Sequence, residues 1–478
     1  MRWWLWAVVV LTGFLAISCG QDSASEDVLD VPPDVVAADV SELLADVAEE
    51  GDLPGEVADL AVEMTDIAAE VADLVEPLAC VPGITEQPLL GLADDTFEIG
   101  PYLMDARPQS IVVAWRTLDP AVGTVTFGPA ETLAAAVTEE EATRYHQIRL
   151  EGLVPGTRYS YQVSIPDLES AIHQFVTPTN GQPARFVVWG DNQDGKETFA
   201  LLQPQILARA PHAVLGVGDH ISQGINEWLW LEQLFGPARA LFHEVPFYAA
   251  IGNHEDNASF WYEFFAYPAA DVPEDEFSES YYSFTFGSVF FLVINTNTVF
   301  FPIGEVDTPI SAWIREQVAS PAAQNATWRI AYGHEPGITE SWSAGNCGYD
   351  GYKPVRNWFL PFIAEHGFHL YLAGHTHAYE RAQFDNGLVQ IITGGGGGGL
   401  DEWCKDFPET SVVYQNHHIL AIDADCDHLR VEAEDLNGKI FDWVELDANQ
   451  PGVLVDQGPA DDLPELIVSL DSPTRTPE

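Results

Sequence analysis

The order of apolar and polar positions divides the chain into distinct textures. Residues 3–18 form one apolar run behind Arg2. It is shorter than the ~20 residues of a comfortable membrane span and it ends in small residues, so it reads as an export signal. Further on, Val57, Leu60, Met64, Ile67, Val71 and Leu74 recur at spacings of 3 and 4, the a/d stripe of a helix. Glu56, Glu63 and Glu70 flank that stripe with no cation opposite, so self-pairing would be repulsive. The stretch is expected to be an acidic stalk with transient helix. From about residue 93 strand-like segments take over, at 110–116, 123–127, 145–149 and 159–163, with β-branched and aromatic residues between Pro and Gly turns. They predict a small β-sandwich. From 186 to 378 strands alternate with helical stretches near 196–209 and 226–240.

Charge sharpens this picture. The 478 residues carry 19 Lys+Arg against 74 Asp+Glu, a net charge of −55. That excludes the basic footprint needed for duplex nucleic acid or an anionic membrane surface. Hydrophobic residues make up 46% and charged ones 19%, so most of the chain can bury a core, in about three units at ~150 residues each. Between Asp22 and Glu76 there are 18 acids and no Lys or Arg, so residues 1–76 contribute 1 − 18 = −17 and the rest −38.

The first texture ends at Leu15-Ala16-Ile17-Ser18-Cys19, which resembles a bacterial lipoprotein signal with Ala16 in place of the usual Leu. Cleavage before Cys19 would leave that residue lipidated, and the protein membrane-anchored on the periplasmic or cell-surface face. Secretion after cleavage nearby, or an uncleaved anchor, are the alternatives; all three export the chain. Cys80, Cys347, Cys404 and Cys426 remain, an even number with no compact metal spacing, so disulfides or buried thiols are expected. Four Cys allow three connectivities.

The chemistry lies at five strand ends. Gly190 is followed by Asp191, Gly218 by Asp219, Gly252 by Asn253-His254-Glu255, Gly333 by His334, and Gly374 by His375-Thr376-His377. Each pair alone is weak. Ligands gather outside the carboxyl ends of strands in open α/β sheets, so five such ends would bring these side chains together. His375 and His377 alternate along an extended segment and could both reach one metal site.

The ordered set resembles the calcineurin-like metallophosphoesterase family over about residues 93–445. It is closest to purple acid phosphatases, through Gly374-His375-Thr376-His377-Ala378-Tyr379-Glu380-Arg381 and the preceding β module. In that module Pro155-Gly156-Thr157 before Tyr159-Ser160-Tyr161 also resembles a fibronectin type III hairpin. The resemblance implies an α/β fold, a four-layer αββα sandwich preceded by an all-β fibronectin type III-like sandwich. The domains would be a signal peptide (1–18), stalk (19–92), β module (93–180), catalytic domain (181–448) and acidic Pro-containing tail (449–478). Residues 418–446 would close the second sheet.

It further implies two metal ions, Fe, Mn or Zn, bridged by Asp219. Asp191 and His377 would hold the first, and Asn253, His334 and His375 the second. Two such ions can generate hydroxide at neutral pH for in-line attack on phosphorus. His254 would contact the phosphoryl group or protonate the leaving oxygen. Glu255 either orients His254 or is a solvated loop acid, and His220 either lines the substrate opening or is a neutral loop residue.

Two positions depart from the pattern. Ser222 stands where purple acid phosphatases have a tyrosine ligand, so no purple colour is expected. Gln193 stands where other relatives supply a histidine; it is either a carbonyl ligand or a turn residue bonded to a metal-bound water. The glycine run 394–399 lacks the Gly-Lys-Ser/Thr of a P-loop and reads as close backbone packing. The loop 337–353 would wall the pocket. Cys347 lies in that loop and Cys404 just after the glycine run, both beside the candidate site, which favours a 347–404 bridge with 80–426 as complement. The expected activity is phosphomonoester hydrolysis on a small substrate. A phosphodiesterase of nucleotide or phospholipid-headgroup type, and a catalytically silent surface binding protein, are the rivals.

Overall fold

The computed structural model describes residues 97–268, 276–344, 347–448 and 452–459. Cys19, Cys80, the signal segment and the stalk lie outside the described residues.

Two large sheets face each other. In the first, strands Ala184–Trp189, Ala213–Gly216 and Phe247–Ala249 run parallel, with Val187, Val214 and Phe247 in register. In the second, Val289–Val293, Trp328–Tyr332, Leu370–Ala373 and Val389–Thr393 run parallel, with Val293, Tyr332, Leu372 and Ile391 in register. These strands are almost continuously apolar, as strands covered on both faces must be. Between the sheets Phe186 meets Phe286 and Phe291 edge-on, and Tyr248 stacks on Phe284 at 4.0 Å. Outside the second sheet the helix Pro309–Ala319 buries Ile310, Trp313, Ile314 and Val318. Outside the first, Lys196–Ala208 buries Phe199, Leu202 and Ile206. This is the expected αββα layering.

Details differ from the sequence reading. The 226–240 stretch is not one helix: it is Glu227–Leu229, a π turn Trp230–Phe235, then Arg239–Phe242 after Gly236-Pro237. The strands His418–Ala424, His428–Asp435 and Ile440–Asp447 join the first sheet, not the second, through the antiparallel pairing of His418–Ala424 with Ala184–Trp189. Alternation along a strand fixes its faces but not its neighbour. The tail adds a further strand, Leu454–Gln457, to the same edge.

The β module is likewise built into the first sheet. Ser110–Ala121 pairs with Thr143–Leu150 and with Ile99–Arg107, and the last pairs in parallel with Phe247–Ala249 at Met104 and Phe247. Ile99–Arg107 is buried on both faces along nearly its whole length, as an interior strand requires. Thr124–Pro129 and Arg158–Ile165 form a separate small sheet with Ala135–Thr138, Leu168–Glu169 and His173–Val176.

The two large sheets repeat one device at the opposite end from the candidate ligands. His212 precedes strand Ala213–Gly216 and exchanges hydrogen bonds with Arg185: the His212 amide donates to the Arg185 carbonyl at 2.9 Å, and Nδ1 accepts from the Arg185 amide at 3.0 Å. His369 precedes Leu370–Ala373 and does the same with Arg329, at 2.9 and 3.1 Å.

Candidate metal centre

All five strand-end motifs converge. Asp191, Asp219 and His375 each hold a left-handed φ, of 59°, 53° and 68°. Non-glycine residues rarely adopt that conformation, and it clusters at functional sites. The preceding glycines have a second cause. A Cβ on Gly252 would collide with the Asp219 carboxylate, and one on Gly374 with that of Asp191. Each glycine leaves space for a neighbouring motif's carboxylate.

Three imidazoles are aimed the same way. His334 donates Nδ1–H to the Val217 carbonyl at 2.9 Å, His377 to that of Gly399 at 2.5 Å, and His254 to that of Ser222 at 2.9 Å. Such a bond fixes the tautomer and leaves Nε2 as the free nitrogen. His334 Nε2 lies 3.0 Å from Asp219 Oδ2 and 3.0 Å from Asn253 Oδ1. His375 Nδ1 lies 2.8 Å from the same Asn253 oxygen and 3.3 Å from His334 Nε2. His377 Nε2 is 3.5 Å from Asp191 Oδ1, and His254 Nε2 is 3.9 Å from Asp219 Oδ2. Asp219, His334 and His375 offer ligand atoms within 4.8 Å of one another.

The electrostatics fit a site for a cation. Burial pushes Asp191 well above the usual carboxylate range, and the Asp219 charge adds to this against the opposing pull of His334. Burial would also raise Asp219, but His334 beside it outweighs that and holds it at about 2. Burial would lower His334, yet Asp219 lifts it to about 10. Burial keeps His375 neutral, at about 3, so its ring nitrogen has a lone pair to offer. Gln193 adds a further sign: its Oε1 is buried with no partner, while Nε2 sits 3.2 Å from His377 Nε2. Turning the amide over would place the carbonyl oxygen beside His377, as a ligand would need. The donors are nitrogen and oxygen only, which suits Zn, Mn or Fe. The residues therefore fit the metal that the motifs imply.

Of the two readings left open for His220 the neutral one holds, and for Glu255 neither does. His220 does not line an opening. It is fully buried, its Nδ1 is 3.1 Å from Asn192 Oδ1, and burial holds it at about 3. Glu255 is neither solvated nor bonded to the His254 ring. It is fully buried, and its carboxyl accepts from the amides of Asp219 (2.9 Å), His220 (2.7 Å), Ile221 (3.2 Å) and Gly252 (2.7 Å). It clamps the two loops that present Asp219 and Asn253. Ser222, at the tyrosine position, is taken up by Gln233 from the π turn: Ser222 N–H donates to Gln233 Oε1 at 2.8 Å.

The glycine run packs closely, as expected: Cβ atoms at Gly394, Gly396 and Gly397 would collide with the backbone of Thr376, Gly190 and Gly195. Cys347 and Cys404 are bridged. Cys426 is also disulfide-bonded, and its expected partner Cys80 lies outside the described residues. Sequence reasoning missed Asp401, whose Oδ2 accepts from the His377 amide at 2.9 Å and Oδ1 from Ser343 at 2.8 Å. Its only sequence signal was an acid just after the glycine run.

Comparison with known proteins agrees with this geometry. Residues 184–379 match the family model of calcineurin-like phosphoesterases. The chain is 23% identical over 319 residues to a phosphoenolpyruvate phosphatase of Allium cepa, covering 61% of this chain and 64% of the relative. It is 23% identical over 306 residues to purple acid phosphatase 23 of Arabidopsis thaliana, covering 55% and 64%. The chain thus spans slightly less than two thirds of these relatives' length. The purple acid phosphatase PPD1 of yellow lupin shares the fold with a TM-score of 0.61 at 17% identity, over 76% of this chain and 74% of that one. The ordered strand-end motifs, the facing sheets and these matches agree that residues 184–379 form a calcineurin-like phosphoesterase domain, similar to that of purple acid phosphatases.

Proposed function

We propose that the protein is an exported phosphoric-ester hydrolase working with two metal ions, and that small phosphomonoesters are its substrates. The observation that carries this is the convergence of the His334 and His377 Nε2 atoms, with His254 Nε2 beside them, on the buried pair Asp191 and Asp219. Asp219 would serve both ions. Asp191, His377 and Gln193 would complete one site, and Asn253, His334 and His375 the other. Bound there, such ions lower the pKa of water and neutralise phosphate charge.

The chain's own residues supply the rest. Glu255 fixes the loop backbones, so the ligands need little rearrangement on binding. His254 is partly exposed, with a side-chain accessibility of 41%, and its Nε2 is free on the solvent side of Asp219. With Nδ1–H held on Ser222, the imidazolium form of this ring can give its Nε2 proton to the departing oxygen, a step worth ~100- to 10,000-fold. The name of the Allium relative specifies a phosphate monoester, which favours monoesters over diesters. Export is supported by the 347–404 bridge, since disulfides persist in oxidising compartments. Lipidation at Cys19 completes the reading and predicts palmitate labelling that Cys19→Ala abolishes.

The test is metal analysis of protein loaded with Zn, Mn or Fe, with hydrolysis of p-nitrophenyl phosphate and its bis ester. Two ions per chain, EDTA-sensitive monoester hydrolysis and loss of both in Asp219→Asn are expected. Less than one ion per chain would sink the proposal; cleavage of the diester alone would move it to phosphodiesterase.

A further inference from the structure

Beside the proposed metal cluster stand two rings that the chemistry above leaves unused. The Trp342 indole lies 5.1 Å from the His375 imidazole, inclined at 30°, and Tyr349 meets that imidazole edge-on at 4.9 Å and 72°. The two rings are 4.8 Å apart. Both residues are half-buried, and the Tyr349 hydroxyl is buried without a hydrogen-bond partner. A tryptophan on a mobile loop would lose much of its binding value to ordering. Trp342 is not on such a loop. The amides of Glu340 and Ser341 donate to the buried Glu380 carboxyl at 2.8 Å each, that of Trp342 to the Glu402 carbonyl at 2.9 Å, and that of Ser343 to Asp401 at 2.8 Å. The 347–404 bridge ties the same strap to the loop from the other side. Asp401 also holds the His377 amide, so the wall is registered to the metal ligands.

The indole stands beside the His375 imidazole, so an ester held at the proposed metals would bring its leaving group near a planar ring. Planar rings favour stacked or edge-on contact with such a ring beyond simple apolar burial. The net charge of −55 argues against a second anionic group on that leaving part. We propose that Trp342 forms a stacking subsite for a planar, uncharged leaving group, so that aromatic phosphomonoesters are preferred. This rests on the phosphoesterase reading above.

Benzyl, cyclohexylmethyl and n-propyl phosphate release alcohols of similar acidity, so their kcat/KM ratios report fit rather than leaving-group chemistry. With metal-loaded protein, benzyl phosphate should exceed cyclohexylmethyl phosphate by about 3- to 10-fold. Trp342→Ala should bring that ratio close to unity, and Trp342→Phe should keep most of it. Non-hydrolysable benzylphosphonate should bind more tightly than its cyclohexylmethyl analogue by the same factor in calorimetry. Equal kcat/KM for benzyl and cyclohexylmethyl phosphate, or a ratio unchanged in Trp342→Ala, overturns the subsite and leaves the phosphoesterase reading standing. Hydrolysis of none of the three, with no phosphonate bound, overturns that reading itself.

Discussion

The paired histidine clasps predict how the fold responds to acid. His212 and His369 each accept an Arg amide through Nδ1, a bond that only the neutral ring can make. Burial, reinforced by Arg185 beside one and Arg329 beside the other, lowers each to about 4. The ordinary value in an unfolded chain is about 6.5. In the window between, the unfolded state binds more protons than the folded state, so stability rises with pH and falls on acidification. At pH 7 the effect is nearly absent; at pH 5 each ring costs about 2 kcal/mol, so the pair removes about 4 kcal/mol between those pH values. Below pH 4 both rings are charged in either state and the dependence ends. The check is urea unfolding at pH 7, 6 and 5 for the natural protein and a His212→Asn/His369→Asn double variant. Asn can accept the same amides but does not titrate. The variant should lose stability outright through ring removal, yet its pH curve should be flatter by about 4 kcal/mol across the window. Parallel curves for the two proteins would refute the reasoning.

Further predictions concern the site. Glu255→Gln offers one acceptor oxygen where the four amides now share two; metal affinity should fall about 10- to 100-fold by calorimetric titration, and unchanged affinity would remove the clamp. Gly374→Ala drives a Cβ into the Asp191 carboxylate, whereas Gly399 has nothing within 4 Å. The first variant should lose bound metal on elemental analysis and the second should retain it; equal retention would mean that the strand-end glycines serve only the backbone. Cys347→Ser opens a bridge spanning 57 residues, a loss of about 4 kcal/mol on the loop-entropy estimate. It should also raise KM for benzyl phosphate with kcat little changed, and a fall in kcat alone would contradict the role given to the wall.

The candidate ligand set was legible because each member carries a local signal, an apolar run stopped by Gly and a polar residue. The structure shows why the signal is so regular: Gly252 and Gly374 are required by the carboxylates of other motifs. What could not be read is whatever depends on two distant segments meeting. Glu255 looks like a loop acid until Asp219, His220 and Ile221 are seen to donate to it across 34 to 36 residues. His220 follows a ligand and so reads as a site residue, but the turn at Asp219 (φ 53°) lets the next side chain bury beneath Phe247 instead. The strands after 418 show alternation, which cannot say that their partner is Ala184–Trp189 rather than the second sheet.

The large acid excess makes the buried carboxyls the sharpest guide to the site, because an uncompensated charge cannot stay buried. Asp442 is answered by Arg381 at 2.7 Å and by Tyr379. Asp105 is answered by Arg149 at 2.6 Å. Glu380 accepts from Thr339, Glu340 and Ser341, and Glu255 from four amides. Asp191 and Asp219 differ. Beyond burial, His334 weighs most on both; Asp219 and Glu255 act on Asp191 and His254 on Asp219, with no Arg or Lys among them. Imidazoles whose second nitrogens are tied to carbonyls fill the remaining space. Protonation could neutralise one carboxyl, as burial of Asp191 favours. A charged His334 answers Asp219 at 3.0 Å, but neither step accounts for the His377 Nε2 atom turned toward Asp191 or for the orphaned Gln193 oxygen. Cations at this point account for both.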